Sequence, residues 1–169
     1  MKRVLIFIAV GVLISMGRTF ISDLTSAHRD GNGTVVTAGS ASPVDLKVGD
    51  CIGKHAAIPV PNPSSSAINF TDTEVSLVPC AESHEWEVYS KSMTSLQEYS
   101  DPDLTDEGNK DCADAFGDFI GTPIGQSSST FYYYVPTSDS WSNGDRNITC
   151  LVGKGNQGMT VGTLKGSES

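Results

Sequence analysis

Hydrophobic and polar residues are spaced along this chain in three different ways. The first is a continuous apolar block, Val4 to Met16, broken only by Ser15 and preceded by the basic start Met1-Lys2-Arg3. The second is a period of two. Glu74-Val75-Ser76-Leu77-Val78 places Val75 and Leu77 on one face before Pro79 closes the run. Trp86 to Met93, Phe131 to Val135, Asn147 to Val152 and Met159 to Leu164 share the length and β-forming composition of strands. The third is a period of four: Leu104, Gly108, Cys112, Phe116 and Ile120, with Ala115 and Phe119 on the same side. Asp101 stands as N-cap before Pro102, and Gly121 supplies a C-terminal stop, so an amphipathic helix is predicted with Cys112 on its buried face. Gly108 and Gly117 each weaken that helix by about 1 kcal/mol, so packing and a disulfide must hold it. The predicted architecture is α+β: a small, mostly antiparallel sheet with one main helix and two disulfides.

The apolar block and its basic flank predict export. Lys2 and Arg3 stay on the cytoplasmic side and everything downstream is translocated. Two readings of residues 1–21 stand side by side. A membrane anchor extends to Ile21 with Arg18 snorkelling to the outer interface. A signal peptide is instead cut at Thr25-Ser26-Ala27. The anchor is preferred, because that cut lies far from the apolar core. Residues 22–43, rich in Gly, Ser, Thr and Asp, read as flexible linker, and the domain itself as 44–166. Pro59 to Ser66 reads as an exposed loop inserted between strands.

Charge sharpens this division. Residues 1–43 hold four Lys or Arg against two Asp; the rest holds seven against eighteen Asp or Glu, within a net charge of −9. An acidic domain with no basic stripe repels phosphate backbones, which argues against nucleic acid, and it repels anionic headgroups as well. Membrane attachment is therefore expected through the N-terminal segment alone. All four cysteines, Cys51, Cys80, Cys112 and Cys150, lie in the exported part. An even count in an oxidising compartment reads as two disulfides with three possible pairings. No Cys-x-x-Cys spacing supports a zinc ribbon or a redox site.

Candidate chemistry is sparse. His84-Glu85-Trp86-Glu87 leads into a strand and could form a metal or acid–base site on His84 and Glu87, with His55 as a further ligand. The His-Glu-x-x-His spacing is missing, so the simpler reading is preferred: His84 hydrogen-bonded in a turn, and Glu87 paired with a cation such as Arg146. Asp103, Thr105, Glu107 and Asp114 mimic a calcium loop, but Lys110 and Cys112 intrude, and a solvated acidic helix face explains them. In Phe131-Tyr132-Tyr133-Tyr134-Val135, alternate residues face opposite sides of a core strand. Trp141 to Arg146 reads as a turn. There Gly144 supplies positive φ, Trp141 lids the core and Arg146 offers its fork to a carboxylate; Trp141, Asp145 and Arg146 join His84 and Glu87 as a possible binding or structural polar site. No catalytic set, cofactor site or metal site is predicted.

The ordered series Asp45-Leu46-Lys47-Val48-Gly49-Asp50-Cys51, Val78-Pro79-Cys80, His84-Glu85-Trp86-Glu87-Val88-Tyr89, Cys112, Pro136, Trp141, Gly144-Asp145-Arg146 and Cys150 resembles the actinobacterial septum formation domain family. The chain departs from it where Pro59 to Phe70 enlarges the first loop and where Trp86 replaces a smaller residue. The resemblance implies pairing of Cys51 with Cys80 and of Cys112 with Cys150. It also implies a membrane-tethered or secreted envelope protein linked to septum formation, and it carries over no catalytic residue. The expected function is thus non-enzymatic binding of an envelope protein or cell-wall component. Two alternatives are an exported enzyme or metal-binding protein centred on His84 and Glu87, and a phage- or plasmid-borne envelope modifier.

Overall fold

The computed structural model describes residues 26–54, 74–155 and 158–168. The apolar block at 4–16, the Pro59–Ser66 loop and His55 lie outside the described residues. A six-stranded sheet organises the rest, in the spatial order β3-β5-β4-β6-β8-β7 with every neighbour antiparallel. Its strands are β3 (Gly39–Ala41), β4 (Cys51–Ile52), β5 (Val75–Val78), β6 (Trp86–Met93), β7 (Ser129–Tyr134) and β8 (Asn147–Lys154). A separate hairpin joins β1 (His28–Arg29) to β2 (Val35–Thr37). The helices are α1 (Asp101–Ile120) and the short α2 (Ser138–Ser142).

The sheet is covered on both faces, which is why β8 is buried from Ile148 to Gly153 and β6 over its first half, Trp86 to Tyr89. On one face α1 packs over β6, β7 and β8, and Phe116, Ile120, Tyr89, Tyr133, Ile148 and Val152 form a core around Cys112–Cys150. On the other face Trp86, Ile52, Leu77, Val88, Tyr132 and Leu151 gather beneath Val35 of the hairpin and Leu46. The alternation expected in β7 holds: Phe131, Tyr133 and Val135 join the helix-side core, and Tyr132 and Tyr134 the opposite one. Val75 and Leu77 are likewise buried on one face of β5. A bulge between Val88 and Ser90 lets Tyr89 reach under α1, where its hydroxyl donates to the Cys112 carbonyl at 2.5 Å.

The helix has the predicted buried row, Leu104, Gly108, Cys112, Phe116 and Ile120, and ends at Gly121 in the left-handed region. Its start lies one residue earlier than expected. Extended Ser100 is the N-cap, its carbonyl accepting from the Leu104 amide, so Asp101 is the first helical residue and Pro102 the second. Both disulfides join the expected partners, Cys51–Cys80 and Cys112–Cys150.

Two expectations need correction. Over 26–43 the supposed flexible linker forms β1, β2, β3 and a short 3-10 turn (Pro43–Asp45). Distant contacts hold it: Val35 enters the core, and Arg29 pairs with Asp50. The expected strand Met159–Leu164 is instead a tail with an isolated bridge at Thr160. Gly162 turns the backbone to φ 82°, and the tail bonds successively to Cys80, Glu87 and the end of α1.

Candidate functional site

The candidate polar residues fall into two groups at opposite ends of the β6–β8 pair. Glu87 lies opposite Val152, whereas Asn147, beside Arg146, lies opposite Met93. Five residues of β8 therefore separate the groups, about 17 Å of strand. The structure does not bring His84 and Glu87 together with Trp141, Asp145 and Arg146, so the anticipated Glu87–Arg146 pair does not form.

At the first end, His84 follows the loop that leaves the Cys51–Cys80 disulfide. Its backbone exchanges both hydrogen bonds with Thr160, at 2.9 and 2.8 Å. Its ring is 1% exposed, and Nδ1 lies 2.8 Å from the Glu82 carbonyl. A carbonyl only accepts, so Nδ1 carries a proton. Among the described residues Nε2 has no partner, and neither do the buried Trp86 Nε1 and Thr160 Oγ1. Glu87, 4% exposed, receives the Thr163 hydroxyl at 2.6 Å and the Leu164 amide at 2.8 Å. Its carboxylate thus fastens the C-terminal tail to the sheet. Both Glu87 oxygens and Nδ1 of His84 are thus engaged in the fold, and Nε2 of His84 is left without a partner among the described residues. Among the described residues no three His, Cys, Asp or Glu side chains stand close enough to hold a metal ion.

Trp86 explains its own presence. Its ring meets Tyr132 edge-on at 4.5 Å and lies across Gly153, where a Cβ would fall 2.8 Å from the indole and 2.5 Å from the Glu85 carbonyl. The larger residue at 86 fits because position 153 has no side chain.

At the second end, α2 opens with a capping box between Thr137 and Ser140. Asp145 accepts from the Ser140 hydroxyl at 3.0 Å and from the Asn147 amide and side chain at 3.0 and 2.9 Å. Arg146 donates to the Trp141 and Asp145 carbonyls, and its guanidinium stacks 3.5 Å over the Trp141 ring. Tyr99 meets Trp141 edge-on at 5.9 Å. Trp141 therefore clasps this corner between Arg146 and Tyr99 instead of lidding the core, and Gly144 takes the predicted positive φ of 92°.

The acidic face of α1 is partly engaged rather than wholly solvated. Asp111 accepts from Ser92 at 2.9 Å, and Glu107 accepts from the Thr94 hydroxyl and the Ser95 amide. Desolvation pushes the Glu107 carboxyl upward, but those hydrogen bonds outweigh it and hold the group below its ordinary value.

One polar site escaped sequence reasoning. Arg29 grips Asp50 with both ends of its guanidinium, at 2.5 and 2.7 Å, and also donates to the Gly33 carbonyl. Asp50, 3% exposed, accepts the Lys47 amide as well. The hydrogen bond to Asp50 raises the Arg29 pKa above its ordinary value. The available signal was Asp50 itself, a carboxylate next to Cys51 within the motif shared with the family.

Comparison with known proteins gives one positive result. The family model described as septum formation matches residues 19–150, most of the chain and including the β1–β2 hairpin. No curated protein matches. No solved structure matches either.

Proposed function

The chain belongs to the septum formation family, and from that premise we propose that it is an envelope protein whose disulfide-bonded domain binds a protein or wall partner at the division septum, without chemistry of its own. Family and disulfides together fit an extracytoplasmic cell-envelope domain. The apolar segment within residues 1–21 serves as its membrane anchor in this reading. Among the described residues no helix is long and apolar enough to cross a membrane.

The observation that carries the binding role is that Glu87, Asp145, Arg146 and the cysteines are all engaged in holding the fold. Glu87 fastens the tail, Asp145 the α2 corner, Arg146 the Trp141 ring, and the four cysteines the sheet and helix. A domain so committed to its own shape offers a surface rather than a reactive group.

The test is imaging of a fluorescent fusion in the host, combined with deletion. The fusion is expected at division sites, and the deletion is expected to give misplaced or misshapen septa. Uniform envelope fluorescence together with normal division in the deletion strain would overturn the septal assignment.

A further inference from the structure

The chain enters the folded domain at a fixed place. Ser26 bridges Ser40 of β3, and the Ala27 amide bonds to the Ser40 carbonyl at 3.1 Å. A Cβ at Gly39 would collide with the Ser26 and Ala27 backbone, so the approach is close. Ala27 packs against the core on the hairpin side of the sheet, opposite α1. The folding of 26–43 shortens the expected linker of residues 22–43 to residues 22–25. Five Cα steps from Ile21 to Ser26 span at most about 18 Å. A domain of this size is roughly 35 Å across, so such a tether cannot let it turn over.

We propose that the hairpin side of the domain rests on the outer surface of the bilayer that residues 1–21 span, with phospholipid headgroups as its partner; this rests on the anchor reading above. The acidic α1 side then faces away from the lipid.

The residues on the hairpin side suit that contact. Val35 enters the core, and its neighbour Val36 is exposed on the outward side of the hairpin. Leu46 is fully buried in the same core, and Val44 and Val48 on either side of it are exposed. Ser92 turns to Asp111 of α1, so Lys91 and Met93 point the other way. Lys91 donates to the Val44 and Leu46 carbonyls at 3.0 and 2.8 Å, and Met93 is exposed.

Charge divides the same way. Residues 26–54 hold Arg29, Lys47 and Lys54 against Asp30, Asp45 and Asp50. Helix α1 holds seven Asp or Glu against Lys110. The acidity that argued against lipid contact therefore lies on the far side, and anionic headgroups are least repelled where the tether enters. The reach of the tether selects lipid over a soluble partner. A few exposed apolar side chains bind a bilayer weakly when free, but a short tether holds them at high local concentration.

The test uses the full chain in host membranes washed with alkaline carbonate, with a photo-crosslinking amino acid replacing Val36 or Val48. Phospholipid adducts, read by mass, are expected from both positions and not from exposed Asp118 of α1. Thirty Gly/Ser residues inserted after Asp23 should lower the adduct yield about tenfold. A chain released by the wash removes the anchor and this inference with it. In a retained chain, no adduct at Val36 and Val48, or adducts with protein alone, would overturn the inference while leaving the anchor intact. Equal yield at Asp118, or a yield indifferent to the insertion, would do the same.

Discussion

Arg29 and Asp50 lie twenty-one positions apart, and their pairing converts a polar, glycine-rich stretch into part of the domain. Neither residue announces this locally, because the ion pair exists only once β1 is laid beside the turn that precedes β4. Removing the cation leaves a buried carboxylate with the Lys47 amide as its remaining support. Arg29→Ala is therefore expected to destabilise the domain by about 3 kcal/mol, read from the midpoint of denaturant unfolding. A change under about 1 kcal/mol would mean that the pair is solvent-screened and the hairpin is held by Val35 alone. His84 was more legible: a histidine in a turn after a cysteine finds a nearby carbonyl. The partners of Glu87, Thr163 and Leu164, lie seventy-six and seventy-seven residues away, beyond any local pattern.

Helix α1 shows how one residue type takes opposite values within an element. A Cβ at Gly108 would stand 2.7 and 2.8 Å from Tyr133 and Val135, whereas at Gly117 it would meet nothing within 4 Å. Gly117→Ala should therefore stabilise by roughly 0.5–1 kcal/mol through helix propensity. Gly108→Ala should destabilise by roughly 1–3 kcal/mol, because overpacking against β7 exceeds the same propensity gain. Paired thermal melts decide it, and two shifts of the same sign would contradict this packing. The element itself was legible from its period of four, since its apolar row faces one sheet. The tail after β8 was not. Its alternation resembles a strand, yet its hydrogen bonds go to a loop carbonyl, a carboxylate and a helix end.

The described residues form a sheet clamped between α1 with the tail on one side and the hairpin on the other, with one disulfide joining β4 to the loop after β5 and the other joining α1 to β8. Closing loops of 29 and 38 residues, these bonds stabilise by about 4 kcal/mol each through the unfolded chain. The enclosed tyrosines make the assembly sensitive to alkali. Burial raises the Tyr89 and Tyr132 hydroxyls, and it pushes Tyr133 up to about 12 with Asp106 adding to the rise. A raised folded pKa gives stability that is complete below the ordinary tyrosine value of 10.0 and is lost as pH climbs above it, because only the unfolded chain releases those protons readily. Tyrosinate absorbance from these groups and loss of the β-sheet circular dichroism signal should therefore rise together above about pH 10. Tyrosinate formation in a molecule that keeps its sheet would contradict the burial.

The sequence alone determined the α+β class, the helix, the strand alternations and the two-disulfide count, because periodicity and cysteine number reflect burial and compartment directly. Its ordered motifs also pointed to the family and, through it, to the cysteine pairing. Tertiary structure decided that 26–43 belongs to the domain, that Glu87 fastens the tail, and that the polar candidates sit at two ends of the sheet. Each of these depends on which distant segments meet, and a polar residue has the same letter whether it faces water or a buried partner.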